Sequence, residues 1–172
     1  MSEQQEYWFA ARTRKDQEFA IRNSLEKLNV ECFMPTQFVI RQLKYRKRRV
    51  EVPVIRNLIF VRTTKDRAWS ITKDYNVQLF YMKDLRTNSL LIIPDKQMRD
   101  FMFLLDFSDS TVEVINEELK RGDRVRVIKG PLIGLEGELL RIKGHKRVIV
   151  RLEGVVSVAT SYIPGSFLEK IK

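Results

Sequence analysis

Between residues 122 and 142 the chain alternates and turns in a way that few folds accept. It reads Gly122-Asp123-Arg124-Val125-Arg126-Val127-Ile128-Lys129-Gly130-Pro131-Leu132-Ile133-Gly134-Leu135-Glu136-Gly137. Val125 and Val127 alternate with Arg124 and Arg126, the period of a strand with one covered and one wet face. Gly130, Gly134 and Gly137, with Pro131 behind the first, then require a tight loop. Such a loop needs positive φ or a close backbone approach at several points. A second strand follows over Gly137–Ile142, so the segment predicts strand, loop, strand.

Glycine usage divides the rest. Residues 1–121 contain none, and all seven glycines lie from Gly122 onward. A boundary is expected where Asp106, Asp109, Glu113, Glu117 and Glu118 occur with no base among them, an acidic linker over 106–119. Val112, Val114 and Ile115 keep that linker from reading as wholly loose. The expected domains are therefore 1–105 and 120–172. Net charge is +10, which favours an anionic partner. Residues 1–105 hold 20 Lys+Arg against 12 Asp+Glu, and 106–172 hold 12 against 10, so the excess is N-terminal. One cysteine, Cys32, and one histidine, His145, support neither a disulfide framework nor a zinc site or catalytic triad. No metal, cofactor or catalytic residue is expected, and the chain reads as no enzyme. With no long apolar run and a polar start, it is expected to be cytoplasmic and to make no membrane contact.

In chain order, Tyr7-Trp8-Phe9-Ala10-Ala11 predicts a central strand leading into the basic loop Arg12-Thr13-Arg14-Lys15. Asp16 is placed to cap a helix to about residue 29, with Glu18 in its first turn and Arg22 and Lys27 in water. Phe19, Ile21, Leu25 and Leu28 form its apolar stripe. Cys32 to Leu43 reads as a second strand, and Lys44 to Arg49 as a basic hairpin tip, with the return strand from Val50. Leu58 to Val61 has the look of a doubly buried strand. Asn57 before it suits a left-handed turn position better than any other non-glycine residue. A short helix is expected over 66–74 with Trp69 and Ile71 inward, then strands over 79–82 and 90–93. A helix from Pro94-Asp95 follows, with Met98, Phe101, Met102 and Leu105 on one face. Strands with about three helices predict an α+β sandwich.

The glycine-rich segment resembles the KOW motif of small SH3-like barrels. The order of Trp8-Phe9, the helix after Lys15, Phe33-Met34-Pro35-Thr36, the basic hairpin and Pro53 to Arg62 resembles the NusG N-terminal domain, an α/β sandwich around a mixed sheet. The segment Val54-Ile55-Arg56-Asn57-Leu58-Ile59-Phe60-Val61 is most similar to UpxY-type antiterminators of capsular polysaccharide operons in Bacteroidetes. General members carry Phe-Pro-Gly-Tyr where this chain has Ile55-Arg56-Asn57-Leu58. The resemblance implies a monomer that binds the clamp helices of RNA polymerase beside nontemplate DNA or nascent leader RNA. There it suppresses pausing and termination, while the KOW domain recruits the termination factor Rho or a ribosomal protein. The alternatives are the general housekeeping elongation factor and a ribosome-associated RNA-binding KOW protein.

On that resemblance the docking residues are Trp8, Phe9, Ile55, Leu58, Phe80 and Tyr81, since an exposed apolar patch calls for a protein partner. Lys44, Arg46, Lys47, Arg48 and Arg49 of the hairpin are expected to meet phosphate or an acidic polymerase loop. Arg14, Lys15 and Arg22, with Arg12 and Lys73 near them, form a third patch. In the barrel the contact loop is Lys129-Gly130-Pro131-Leu132-Ile133-Gly134. The β-branched runs Val148-Ile149-Val150 and Val155-Val156 favour the barrel over a helical form.

Overall fold

The computed structural model describes residues 4–107, 113–115 and 119–172, and the chain divides into two compact units, Met1–Ile92 and Ile93–Lys172. In the first unit the elements are β1 (Tyr7–Arg12), α1 (Glu18–Lys27), β2 (Glu31–Phe33), β3 (Thr36–Gln42), β4 (Lys47–Pro53), β5 (Leu58–Thr63), α2 (Lys65–Lys73) and β6 (Phe80–Tyr81). The two-residue β7 (Ile92–Ile93) stands at the boundary. The second unit holds α3 (Asp95–Phe107), β8 (Glu113–Ile115), β9 (Asp123–Val127), β10 (Glu136–Ile142), β11 (His145–Leu152), β12 (Val156–Ala159) and β13 (Leu168–Lys170).

The first unit is built on an antiparallel sheet in the order β2-β5-β1-β6. The two apolar runs become its central strands, paired Phe9 to Val61 and Ala11 to Ile59. These residues share one face, and Ala11, Ile59 and Val61 join Ile21 and Leu25 of α1 and Ile71 of α2 in a single core. Trp8, Ala10, Leu58 and Phe60 take the opposite face and are buried as well, which is why these strands read as continuous rather than alternating. Phe60 packs beside Phe33, ring centroids 6.3 Å apart.

Local chemistry departs from expectation in four places. The strand expected from Cys32 to Leu43 breaks at Met34-Pro35 into β2, in the main sheet, and β3, in the hairpin sheet, since proline has no N–H to give to a ladder. Asp16 does not cap α1: it sits at φ 59, and Gln17 holds the cap position without a side-chain bond. Asp tolerates that left-handed conformation because its short side chain bonds locally. In α2, capped by the Thr64 side chain accepting from Arg67 N, the inward residues are Ala68 and Ile71, and Trp69 is exposed. Position 69 lies one residue off the stripe that faces the core, and helix geometry turns it about 100° away. The hairpin turn is Leu43–Arg46, closed by Leu43 N donating to Arg46 O at 2.8 Å, so Lys47, Arg48 and Arg49 belong to β4.

In the second unit one sheet runs β13-β9-β10-β11-β12-β8. Val125 and Val127 are buried and Arg124 is exposed, so the alternation reports the pleat correctly. A Cβ at Gly137 would stand 2.4 Å from Ile149 O on β11, so no other residue lets β10 and β11 pair there. Gly130 and Gly134 hold φ of 85° and 92°. The β-branched runs form β11 and β12. The segment read as a linker contributes β8, which pairs with β12 as Val114 to Val158. Glu113 of β8 accepts from Arg147 at 2.7 Å and Lys143 at 3.3 Å, anchoring it. Val112, Asp109, Glu117 and Glu118 lie outside the described residues. Helix α3, read with the N-terminal domain, is grouped with this unit and packs against β11. Its buried residues include Met98, Phe101 and Leu104, with Asp100 held by Lys96 at 2.8 Å. Among the described residues no helix is long and apolar enough to cross a membrane.

Candidate functional site

The turn that leads into β5 is held from three sides. Asn57 occupies φ 59, a conformation that costs other L-residues about 1–2 kcal/mol. Its N–H donates to Glu18 Oε1 at 2.8 Å and its carbonyl accepts from Thr13 N at 3.1 Å. Val54 N donates to Pro35 O at 2.8 Å. Glu18 is only 4% exposed, yet its charge is offset by that amide and by its place in the first turn of α1. The end of β1, the start of α1 and the Arg56-Asn57 turn are thus one rigid corner, from which Arg56 faces solvent.

The apolar docking set separates around this corner. Trp8, Phe9, Ile55 and Leu58 are all buried. Phe9 and Leu58 lie on opposite faces of the two central strands, so the two do not belong to one contact surface. The six residues read as one docking set are thus divided between two faces. Tyr81 is half-buried, edge-on to Phe9 with centroids 6.1 Å apart, and burial raises its hydroxyl above the ordinary tyrosine range. Phe80, 51% exposed, is the open member of the six. It pairs with Arg12 across β1, and the Arg14 guanidinium lies 6.0 Å from its ring centroid. The structure therefore brings Phe80 together with the basic loop of Arg12, Arg14 and Lys15, all exposed.

Arg22 does not belong to that patch. It is half-buried, lies 4.9 Å over Phe19, and pairs with Glu51 of β4 at 3.4 Å and Glu26 at 4.0 Å. The Thr36 hydroxyl, donating at 2.7 Å, and then Arg22 hold the Glu51 carboxyl below the usual carboxylate range. Lys73 instead lies 5.5 Å over the exposed Trp69.

The β3–β4 hairpin forms its own two-stranded sheet. A groove of about 710 Å³ separates its base from the start of α1, with Phe19, Val39, Pro53 and Val54 on its apolar walls and Asp16, Arg41 and Arg56 on its polar ones. Lys44, Arg46, Lys47, Arg48 and Arg49 are all exposed. Cross-strand pairing sets Arg41 opposite Arg48 on one face and Ile40 opposite Arg49 on the other. Phe38 and Ile40 are exposed beside these bases. The sequence presented them only as strand residues, although apolar positions two apart in so basic a hairpin mark a face that Arg49 and Lys47 share with them. The barrel loop is a tight turn: Gly134 N donates to Val127 O at 2.8 Å and Ile133 N to Gly130 O at 3.2 Å. It leaves Ile133 exposed, Leu132 half-buried and Lys129 and Pro131 in solvent.

The family model described as transcription termination factor nusG matches residues 6–102, and that of the KOW motif matches residues 121–151. Among solved structures the chain is similar to one described as domain interaction in Thermotoga maritima NusG, at 19% identity, 98% coverage of each chain and a TM-score of 0.49. It is also similar to conformation B of the MjSpt4:Spt5 complex, at 17% identity, 96% coverage of this chain and 97% of that one, with a TM-score of 0.31. No curated protein matches the chain. Since the first family match alone takes in more than half of the 172 residues, this protein belongs to the NusG family, and a KOW motif follows its NusG domain.

Proposed function

We propose that this NusG-family protein is an operon-specific transcription antiterminator of the UpxY type, which binds RNA polymerase and suppresses pausing and termination at a capsular polysaccharide operon. The family match, a NusG domain followed by a KOW motif, supports the polymerase as its target. The observation that carries the specialised reading is the corner at Arg56-Asn57. Where general members place glycine, this chain keeps the left-handed turn with Asn57 and ties it to Glu18. The turn geometry is thereby retained while the side chains around it differ.

On this reading Phe80, the edge of Tyr81 and Arg14 make the accessible part of the polymerase contact, and Trp8, Phe9, Ile55 and Leu58 support it from beneath. Ile133 and Leu132, beside Lys129, are the barrel's contact for Rho or a ribosomal protein. The test is readthrough by the host's own polymerase on the leader of the cognate operon, with and without the purified protein. Readthrough should rise, and Phe80→Asp should remove the effect while leaving the fold intact. No change on any host leader rules the proposal out. A deletion strain that loses growth generally, rather than one operon's transcript, would point to the housekeeping factor instead.

A further inference from the structure

We infer that one face of the β3–β4 hairpin binds single-stranded nucleic acid by stacking unpaired bases on Phe38 and its neighbours, without help from polymerase. Two-stranded ribbons hold together in water by covering an apolar face. Here that face is open: Phe38 is 58% and Ile40 72% exposed. The pairs Phe38–Glu51, Ile40–Arg49 and Gln42–Lys47 place these residues on the same side. The Arg49 guanidinium lies 4.2 Å from the Phe38 ring centroid, the arrangement of a cation over an aromatic face. At the tip Tyr45 is 86% exposed, with Lys44 5.2 Å from its ring.

Charge selects the occupant. Residues 41–49 carry six bases and no acid, so a second copy of this hairpin is repelled. The Glu51 carboxylate, opposite Phe38, is already taken by Thr36 and Arg22. The ligand must therefore be anionic along its length and also present flat apolar surfaces. An extended polynucleotide does both, with phosphates for the bases of the hairpin and rings for the aromatics. Apolar positions two apart on a strand stand about 7 Å from each other, a step that splayed bases can follow. A duplex keeps its bases stacked inside and offers only phosphate. DNA and RNA single strands present the same phosphates and flat rings to this face, so the two should bind alike. The inference deepens the reading above by naming the hairpin's ligand, and it is tested without polymerase, so each can fail alone.

The experiment titrates the full chain against a labelled oligothymidylate about a dozen nucleotides long. The competitors are oligouridylate, a duplex of equal length and polyglutamate, the last standing for an acidic protein surface. Both single strands should bind with similar affinity and well above the duplex and polyglutamate. Phe38→Ala should weaken single-strand binding about tenfold, in line with loss of one stacked base, and Phe38→Trp should retain it. Because Phe38 is largely in solvent, circular dichroism should show both variants folded. Replacing Lys47 and Arg49, the two bases on this face, by glutamine should flatten the salt dependence by about 0.7 for each phosphate that then keeps its counterions. Unchanged affinity in Phe38→Ala, or duplex or polyglutamate binding as tight as the single strands, overturns the inference.

Discussion

Removing the Glu18 carboxylate should loosen the whole corner from which the candidate site is built. Glu18 Oε1 accepts the Asn57 amide at 2.8 Å and lies in the first turn of α1. Glu18→Ala leaves that amide unpaired in a half-buried turn, a loss of roughly 1.5–3 kcal/mol for a bond to a charged acceptor. Loss of the acid from the helix start adds roughly 0.3–1 kcal/mol. The sum is about 2–4 kcal/mol, which for a unit of this size lowers the thermal midpoint by about 10 °C or more. Glu18→Gln keeps an acceptor without the charge and should cost about 1 kcal/mol. Asn57→Gly should be tolerated, while Asn57→Ala should cost about 1 kcal/mol or more for its positive φ. Both tryptophans, Trp8 and Trp69, lie in the first unit, so urea unfolding followed by their fluorescence reports this unit alone. If Glu18→Ala and Glu18→Gln unfold together with the parent chain, the carboxylate does not hold the turn and the reasoning fails.

Leu58, buried in a central strand, should tolerate no charge: Leu58→Ala should cost roughly 2–5 kcal/mol, and Leu58→Asp should abolish the folded first unit rather than polymerase binding alone, as read by the same fluorescence. Gly137→Ala would set a Cβ 2.4 Å from Ile149 O. It should cost roughly 1–3 kcal/mol by forcing β10 from β11, visible as lost amide protection in β11. The Glu51 carboxyl is held low by Thr36 and Arg22. Its folded-state pKa lies below the unfolded one, so its contribution is complete above the unfolded value and fades as pH falls through the folded one. Hairpin-base chemical shifts should follow that acid transition, and Glu51→Gln should erase it.

How much of this was readable in advance can be judged residue by residue. Asn57 declared its left-handed turn because few residues accept that conformation, and the glycines of the barrel declared a close approach for the same reason. Val125 and Val127 gave their face away by period. The acids after Asp106 read as linker, but Glu113 found Arg147 and Lys143 and tied β8 into the barrel sheet. Trp69 read as inward because it is large and apolar; the helix turned Ala68 and Ile71 inward instead.

Local sterics and periodicity are carried by the chain itself, and they determined the central strands, the Asn57 turn, the strand-loop-strand of the barrel and the family to which this protein belongs. What covers a face is a property of residues far apart in sequence, and only the tertiary structure decided it. The same apolar run can be core or contact, and here Phe9 and Leu58 are buried while Phe38, Ile40 and Phe80 stand in water. Likewise an acid and a base have no fixed partner until folding sets their distance, as when Glu18 met Asn57 and Arg22 met Glu51.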